Sequence, residues 1–305
     1  MTWRFIAPFL AVVSMYAAAA PDERAPWQTE IDRKIAAFPA KTSLYAKNLR
    51  TGATFGLRED DPVRTASTIK LAIMVECFFE EAEGKVKPME PIKLTEDAKV
   101  SGSGLLQEFQ TGDVLPLRDV VDLMIVMSDN TATNLILDRI GGNAVNARMA
   151  QLGLQQTRVM RKIAGDRNVL KANPGGTTEE GAKPENKKWG IGRSSPREMV
   201  SILEKLYRGE LVSKAALEEM LTILKRQRDR NCIGREMEDI TIASKSGALD
   251  HLRSDVGIVY SKAGPIAMAF TVEEIPEINW TPDNPANLLI SSLSEMLVAG
   301  LAGGQ

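Results

Sequence analysis

The 305-residue chain contains one histidine and two cysteines. A serine-histidine-aspartate triad would depend on His251 alone, which we interpret as a surface turn residue, and no cluster of His and Cys offers a zinc site. Cys77 lies within a run of apolar residues, and Cys232 is far from it along the chain, so we expect two separate thiols. Neither a metal nor a cofactor is implied by this composition.

An excess of charge of one sign is also absent, because 38 basic residues face 40 acidic ones and the net charge is −2. Without a basic stripe, neither a nucleic acid nor an anionic membrane is an expected partner.

Long apolar runs are missing as well. The apolar run from Phe5 to Tyr16 is too short for a confident transmembrane helix. With Arg4 before it and alanines after it, this run is typical of a secretory signal peptide over residues 1–20. We therefore expect a periplasmic or secreted protein with no stable membrane insertion after processing.

Three short motifs are present in a fixed order. They are Ser67-Thr68-Ile69-Lys70, Ser128-Asp129-Asn130 and Lys245-Ser246-Gly247. Each alone is weak, since Ser-x-x-Lys should occur about once by chance in a chain of this length, and ordinary caps and turns would explain the others. Ser128 follows Ser67 by 61 residues and Lys245 follows Ser128 by 117. The order and the local context of all three make coincidence the poorer explanation.

The first motif opens an apolar stretch that predicts a buried helix from Ser67 to about Glu83. Ser67 and Lys70 are then neighbours on one helical face. A serine hydroxyl needs a base to become a nucleophile, and a lysine in a dry site can lose its proton readily enough to serve. The spacing therefore suits an activated serine, with a solvated surface lysine as the plain alternative.

The other two motifs suit a proton relay and an anion site. Ser128 lies between two predicted helices, where it can pass a proton to a leaving nitrogen while the Asn130 amide binds an acylamide. The third motif follows a β-branched run typical of a strand, and two further strands are predicted after it. At a sheet edge Lys245 can attract a carboxylate and Ser246 can hydrogen-bond it, while a backbone N–H just beyond Gly247 faces an oxyanion.

With these motifs the chain resembles the penicillin-recognising serine hydrolases, and most closely the class A β-lactamases, from about Pro26 to Leu301. The resemblance implies acylation of Ser67, Lys70 as a base and Ser128 as a proton shuttle. It also implies an oxyanion hole from the backbone N–H groups of Ser67 and Ala248. The implied substrate-binding groups are Asn130, Lys245, Ser246, Ala248 and Arg253. For Arg253 the strand register is open, and a plain surface arginine is the alternative.

The chain departs from the family pattern in the segment that corresponds to the Ω loop. The pattern has a glutamate between an arginine and an asparagine, and this glutamate positions the water that hydrolyses the acyl-enzyme. Arg161 and Asn168 match the flanking residues, but the only carboxylate between them is Asp166. We expect a long Ω-type loop over 161–195, with the deacylating group in the region of Asp166 and Asn168 left open.

The resemblance implies an α/β fold: a five-stranded antiparallel sheet covered by the terminal helices. This domain would comprise residues 26–65 and 196–305, with an all-helical domain inserted at 66–195. The expected activity is the opening of β-lactam rings by a monomeric enzyme with a small-molecule substrate. One alternative is a D,D-peptidase or another serine amide or ester hydrolase. A sensor or binding module without turnover is the alternative from another class.

Overall fold

The computed structural model describes Met1, residues 24–165 and residues 176–302. Residues 2–20 of the expected signal peptide lie outside these described residues, and so do Asp166 and Asn168.

Short and long strands form three antiparallel sheets in the described part of the chain. In chain order they are β1 (Lys41–Asn48), β2 (Thr54–Leu57), β3 (Val63–Arg64), β4 (Pro91–Lys93), β5 (Val114–Pro116), β6 (Arg158–Val159), β7 (Gly192–Ser194), β8 (Ile242–Leu249), β9 (Leu252–Ser261) and β10 (Gly264–Glu273). The largest sheet has the order β2-β1-β10-β9-β8, which makes β8 an edge strand. The predicted five-stranded antiparallel sheet is confirmed, and the third motif lies on its edge.

The α-helices of the described residues cover this sheet or pack together beside it. They are α1 (Pro26–Ala36), α2 (Lys70–Ala82), α3 (Leu117–Val126), α4 (Asn130–Ile140), α5 (Gly142–Gln151), α6 (Glu179–Ala182), α7 (Pro196–Arg208), α8 (Lys214–Lys225) and α9 (Pro285–Ala302). Of these, α9 alone is long and apolar enough to cross a membrane, but half of it is buried against the protein, as in the core helix of a soluble fold.

Alternation along the strands divides the hydrophobic core into two clusters. Leu44 and Phe270 are paired across β1 and β10 and pack in one cluster with residues of α1 and α9. Their neighbours Tyr45 and Ala269 face the opposite side and join a second cluster with α2, α7 and α8. Successive side chains of a strand point to opposite faces, so each face of the sheet is buried by its own helices.

Helix α2 is the central helix of the second cluster. Its residues Leu71 to Phe78 are all buried, and it contacts α3, α4, α5 and α8. Burial of one such large apolar side chain contributes about 1.5–3 kcal/mol. The first residue of this helix, Lys70, is therefore held firmly in the interior.

Three details differ from the sequence-based expectations. The α-helix begins at Lys70, and Ser67 lies in a 3₁₀ helix over Ala66–Ile69. The segment 66–195 is not entirely helical, because β4 to β7 fall within it, and the expected long loop contains α6, a 3₁₀ helix over Pro184–Trp189 and β7. These strands have two or three residues each and pair with distant segments, so no local pattern predicts them. The division into two domains stays a prediction.

Candidate active site

The Ser67 turn is held by a small sheet. β3 pairs with β7, and β7 with β6. The N–H of Thr65 donates to the carbonyl of Gly192 at 3.1 Å, and the Thr68 hydroxyl donates to the carbonyl of Thr65 at 2.7 Å. Ala66, directly before the serine, has a positive φ of 47°. A strained residue of this kind persists only where the surrounding contacts impose it, so the serine is presented by a rigid turn.

Ser67 lies half-buried on the wall of a cleft of about 1150 Å³. The same cleft is lined by Ser128, Asn130, Ser246 and Ala248. The three sequence motifs, separated by 61 and 117 residues along the chain, therefore meet at one place.

Lys70 is completely buried beside the second motif. Its Nζ donates to the Ser128 carbonyl at 2.7 Å and to Asn130 Oδ1 at 3.0 Å, and it lies 3.3 Å from Ser128 Oγ. Burial, and then the charge of Lys245, hold the pKa of Lys70 well below its ordinary value, against the opposing charge of Asp129. A neutral amine has two N–H groups and one lone pair. In that form the two shorter bonds would occupy both donors and leave the lone pair to accept a proton, whereas the protonated amine can donate to all three acceptors.

The second motif connects α3 to α4. Ser128 has a positive φ of 53°, and the buried Asp129 caps α4 by accepting the N–H of Ala132 at 2.8 Å. Asp129 also accepts the N–H groups of Leu105 and Leu106 at 2.6 and 2.9 Å. This buried carboxylate secures the strained turn that brings Ser128 to the two lysines.

Lys245 approaches the same hydroxyl from β8. Its Nζ lies 3.0 Å from Ser128 Oγ and 2.7 Å from the carbonyl of Ser246. Burial lowers the pKa of Lys245 to about 8, although the charges of Asp255 and Asp229 oppose this shift. The Ser128 hydroxyl therefore lies between two lysine nitrogens, one from each side of the cleft.

Gly247 allows β8 to approach the serine closely. A Cβ at this position would lie 2.9 Å from the backbone nitrogen of Ser67 and 3.0 Å from the carbonyl of Thr65. Only a residue without a side chain fits between these two backbones. The approach brings the backbone of Ala248 to the cleft wall beside Ser67.

Arg253 is not a surface arginine. It is 4% exposed, pairs with Ala248 across β8 and β9, and lines the cleft. Its guanidinium lies over the ring of Trp280 and donates to backbone carbonyls, including that of Leu249 at 2.6 Å. The register that the sequence left open therefore brings this positive charge to the cleft beside the third motif.

The start of the Ω segment, which comprises residues 161–195, lies at the cleft. The residue that it presents there, Ile163, is apolar. Asn134, buried on α4, accepts the N–H of Ile163 at 2.8 Å and donates to its carbonyl at 2.9 Å. Ile163 lines the cleft. Further along, Glu179 and Glu180 contact Asn143, Lys183 and Asn186 away from it. Asn134 follows Asn130 by one helical turn, a spacing from which its place near the site could have been found.

Two aspartates near the third motif carried no recognisable signal in the sequence. Asp229 lines the cleft and accepts the hydroxyl of Ser246 at 2.9 Å. Asp255 is fully buried and paired with Ser246 across the strands, and it accepts the N–H of Ile233 at 3.0 Å. Burial, followed by the charge of Asp229, raises the pKa of Asp255 to about 8. These contacts depend on a fold that brings residue 229 to β8.

Cys77 and Cys232 are both free and buried, as expected for two separate thiols. Within residues 24–165 and 176–302, no three or more His, Cys, Asp and Glu side chains converge as metal ligands would.

The chain is similar to known proteins in sequence and in fold. The β-lactamase CARB-4 of Pseudomonas aeruginosa is 26% identical over 137 residues, which are 44% of this chain and 47% of that protein. The chain thus spans about half the length of this curated relative. The crystal structure of a β-lactamase from Sphaerobacter thermophilus shares 26% identity, with a TM-score of 0.77 over 91% of this chain and 98% of the other. PBP-A has the same identity and a TM-score of 0.74 over 90% and 95% of the two chains. A model of the β-lactamase enzyme family matches residues 26–301, and the chain therefore belongs to this family.

Proposed function

We propose that the protein is an exported serine hydrolase that reacts with β-lactam amides through an acyl-enzyme on Ser67. The observation that carries this proposal is the buried network in which Lys70 and Lys245 both reach the hydroxyl of Ser128 beside that serine. Such a network costs stability through the burial of two amines, so a role in proton transfer and anion binding explains it better than folding does.

These groups can accept and supply each proton that acylation requires. The Ser67 Oγ attacks the carbonyl carbon while its proton passes to the lone pair of neutral Lys70. The backbone N–H groups of Ser67 and Ala248 stabilise the resulting oxyanion. As the C–N bond breaks, Ser128 donates its proton to the leaving nitrogen and regains one from Lys70.

Substrate binding is assigned to the groups around this centre. The Asn130 amide hydrogen-bonds the acylamide of the substrate, since its Nδ2 keeps one N–H beyond the bond to the Ser101 carbonyl at 3.2 Å. Lys245, Ser246 and Arg253 receive the carboxylate of the leaving side. In the free protein the Ser246 hydroxyl is bonded to Asp229, so it must turn toward the substrate on binding.

Deacylation is expected to be slow. Of the described residues that line the cleft, Asp229 is the only carboxylate, and its oxygen accepts the Ser246 hydroxyl. Where Asn134 holds the Ω segment at the cleft, the side chain is that of Ile163, which cannot activate water. We therefore keep a second candidate function, a penicillin-binding D,D-peptidase or sensor whose acyl-enzyme persists. A variant of PBP-A was solved as an acyl-enzyme complex with penicillin G.

The test is to follow intact protein mass over time after mixing with a penicillin and with a cephalosporin, with Ser67→Ala as the control. An adduct that forms only with the native serine supports acylation at Ser67. If it disappears as hydrolysed drug accumulates, the protein is a hydrolase. If it persists, the second candidate function is favoured. Labelling of Ser67→Ala, or no labelling of the native protein, would contradict the proposal.

Export is a separate part of the proposal. It depends on the apolar run from Phe5 to Tyr16 and the alanines that follow it. Expression of the full chain in a Gram-negative host should give a periplasmic product that lacks roughly the first twenty residues. N-terminal sequencing of the periplasmic fraction tests this, and an unprocessed chain in the cytoplasm would contradict it.

A further inference from the structure

The charges around the cleft are unbalanced. Its described lining includes one carboxylate, that of Asp229, and six basic residues, of which Arg253 is buried and the other five are exposed or partly exposed. They are Arg64, Arg161, Lys187, Lys188, Arg228 and Arg253. The chain as a whole has a net charge of −2, so this cleft concentrates positive charge in a slightly acidic protein. Such a concentration favours anionic substrates.

Three of these residues belong to the Ω segment, residues 161–195, and we call them the Ω-side cations: Arg161, Lys187 and Lys188. The lysines lie on the 3₁₀ helix before β7, and this segment is tied to the Ser67 turn through Gly192. The N–H of Met160, next to Arg161, donates to the carbonyl of Ile191 at 2.9 Å. The Ω-side cations thus flank the two strands, β6 and β7, of the small sheet that supports the Ser67 turn, and all three line the cleft.

These side chains lack the partners that hold Arg64 and Arg253, two of the other three cations of the described cleft. Arg64 binds Glu273 at 3.0 Å, and Arg253 is held by backbone carbonyls. No described carboxylate lies within ion-pair distance of Arg161, Lys187 or Lys188, which are all exposed. Lys188 has its Nζ 4.7 Å from the ring centre of Trp189, and this contact keeps it at the cleft wall.

The position of Asn130 indicates which part of a substrate would reach the Ω-side cations. Its amide donates to the carbonyl of Ser101. Gly165 is packed against Ser101, because a Cβ added to Gly165 would lie 3.1 Å from the Ser101 backbone nitrogen. An acylamide bound by Asn130 therefore lies beside residues 161–165. Under the proposed function Lys245 on β8 binds the carboxylate of the leaving side, so the acyl side chain, on the other side of the scissile amide, is expected to extend toward the Ω segment.

We propose that the Ω-side cations bind a second carboxylate on the acyl side of the substrate. The preferred substrates are then acyl donors with one anion on each side of the scissile amide, such as acidic peptides or β-lactams with a carboxylated side chain. This inference rests on the proposed acylation of Ser67.

Three penicillins that differ only at the α-carbon of a phenylacetyl side chain provide the test. Carbenicillin has a carboxylate there, benzylpenicillin a hydrogen and ampicillin an ammonium group. The second-order rate of acylation should fall in that order, with about a five- to tenfold difference between carbenicillin and ampicillin at low salt. The preference should shrink at about 0.5 M salt, because exposed charges are then screened.

A triple variant, Arg161→Gln/Lys187→Gln/Lys188→Gln, should acylate with all three penicillins at nearly equal rates and retain the benzylpenicillin rate within about twofold. Lys87→Gln/Lys93→Gln/Lys262→Gln, on three exposed lysines that do not line the cleft, is the control for loss of charge and should keep the preference. Equal rates for the native protein, or an unchanged preference in the triple variant, would overturn the inference and leave acylation of Ser67 intact. If no penicillin labels Ser67, the proposed function and this inference fail together.

Discussion

Asn134 binds both backbone polar groups of Ile163, since it accepts from the N–H at 2.8 Å and donates to the carbonyl at 2.9 Å. An uncharged, apolar side chain is thereby fixed at the wall of the cleft in which Ser67 lies. The Ω segment is thus well positioned near the serine but carries no base at this point.

Ile163→Glu should convert a persistent acyl-enzyme into one that turns over. A carboxylate at this position can activate water, and general base catalysis contributes about 10²–10⁴-fold, so we expect the adduct lifetime to fall at least tenfold. The measurement is the decay of the acylated mass after excess drug is removed. Ile163→Gln, which has the same length and no base, is the control and should keep the long lifetime. An equal lifetime for Glu and Gln would contradict this role for position 163.

The acylation rate should have a maximum in its pH profile. It should rise with pH as Lys70 loses its proton, well below the ordinary range for lysine, because burial and Lys245 lower the pKa of Lys70. It should fall as pH rises through about 8, because Lys245 then loses the charge that attracts the substrate carboxylate. The measurement is the second-order acylation rate against pH. A rate that still climbs at pH 10 would contradict this assignment.

Lys245→Arg separates the two limbs of that profile. A guanidinium keeps its proton throughout this range, so the alkaline fall should move upward while the acid limb stays in place. An unchanged alkaline limb in this variant would assign the fall to another group, such as Asp255, whose pKa is also raised to about 8.

Asp255→Asn should become more stable relative to the native protein as pH rises. The folded pKa of Asp255 is raised from 3.8 to about 8, so the folded state binds more protons than the unfolded state between these values. The stability of the native protein is therefore lost progressively as pH rises through this window, at up to about 1.4 kcal/mol per pH unit. Denaturant unfolding at pH 5 and pH 8 measures the difference. If the two proteins differ by the same free energy of unfolding at both pH values, Asp255 ionises in the folded state without a cost in stability.

Gly247→Ala should separate β8 from the nucleophile. The added Cβ would meet the backbone of Ser67, Thr65 and Thr68 at 2.9 to 3.1 Å, and these atoms belong to the 3₁₀ turn. We expect a loss of about 1–3 kcal/mol in stability and a fall of about 100-fold in acylation, since both oxyanion donors move. Ala248→Gly removes a methyl at the neighbouring position and keeps its N–H, so it should stay within a few-fold of the native rate. Similar acylation rates for Gly247→Ala and the native protein would show that the close approach of β8 to the Ser67 backbone is not needed for acylation.

Local patterns were enough for the elements on which the motifs lie. The β-branched run before Lys245 predicted a strand, and the apolar stretch after Ser67 predicted a buried helix; both are present. The helix start was wrong by three residues, because the turn at Ser67 is shaped by the pairing of β3 with β7 and not by its own sequence. Likewise, a five-stranded sheet was expected, whereas the short strands that anchor the Ω segment were not.

The amino-acid sequence by itself determined which reacting groups the chain possesses, because Ser67 and Lys70 are three residues apart at the start of an apolar stretch, and Ser128 and Lys245 each lie in a recognisable local context. It also determined that a glutamate is missing between Arg161 and Asn168. Only the tertiary structure decided that Ile163 is the residue held at the cleft and that Arg253 lines the same cleft. It also decided that Asp229 accepts the hydroxyl of Ser246 and that Asp255 is paired with Ser246 across the strands. Burial, strand register and the lowered pKa values of both lysines arise from contacts between distant segments, and no local pattern in a chain encodes those contacts residue by residue.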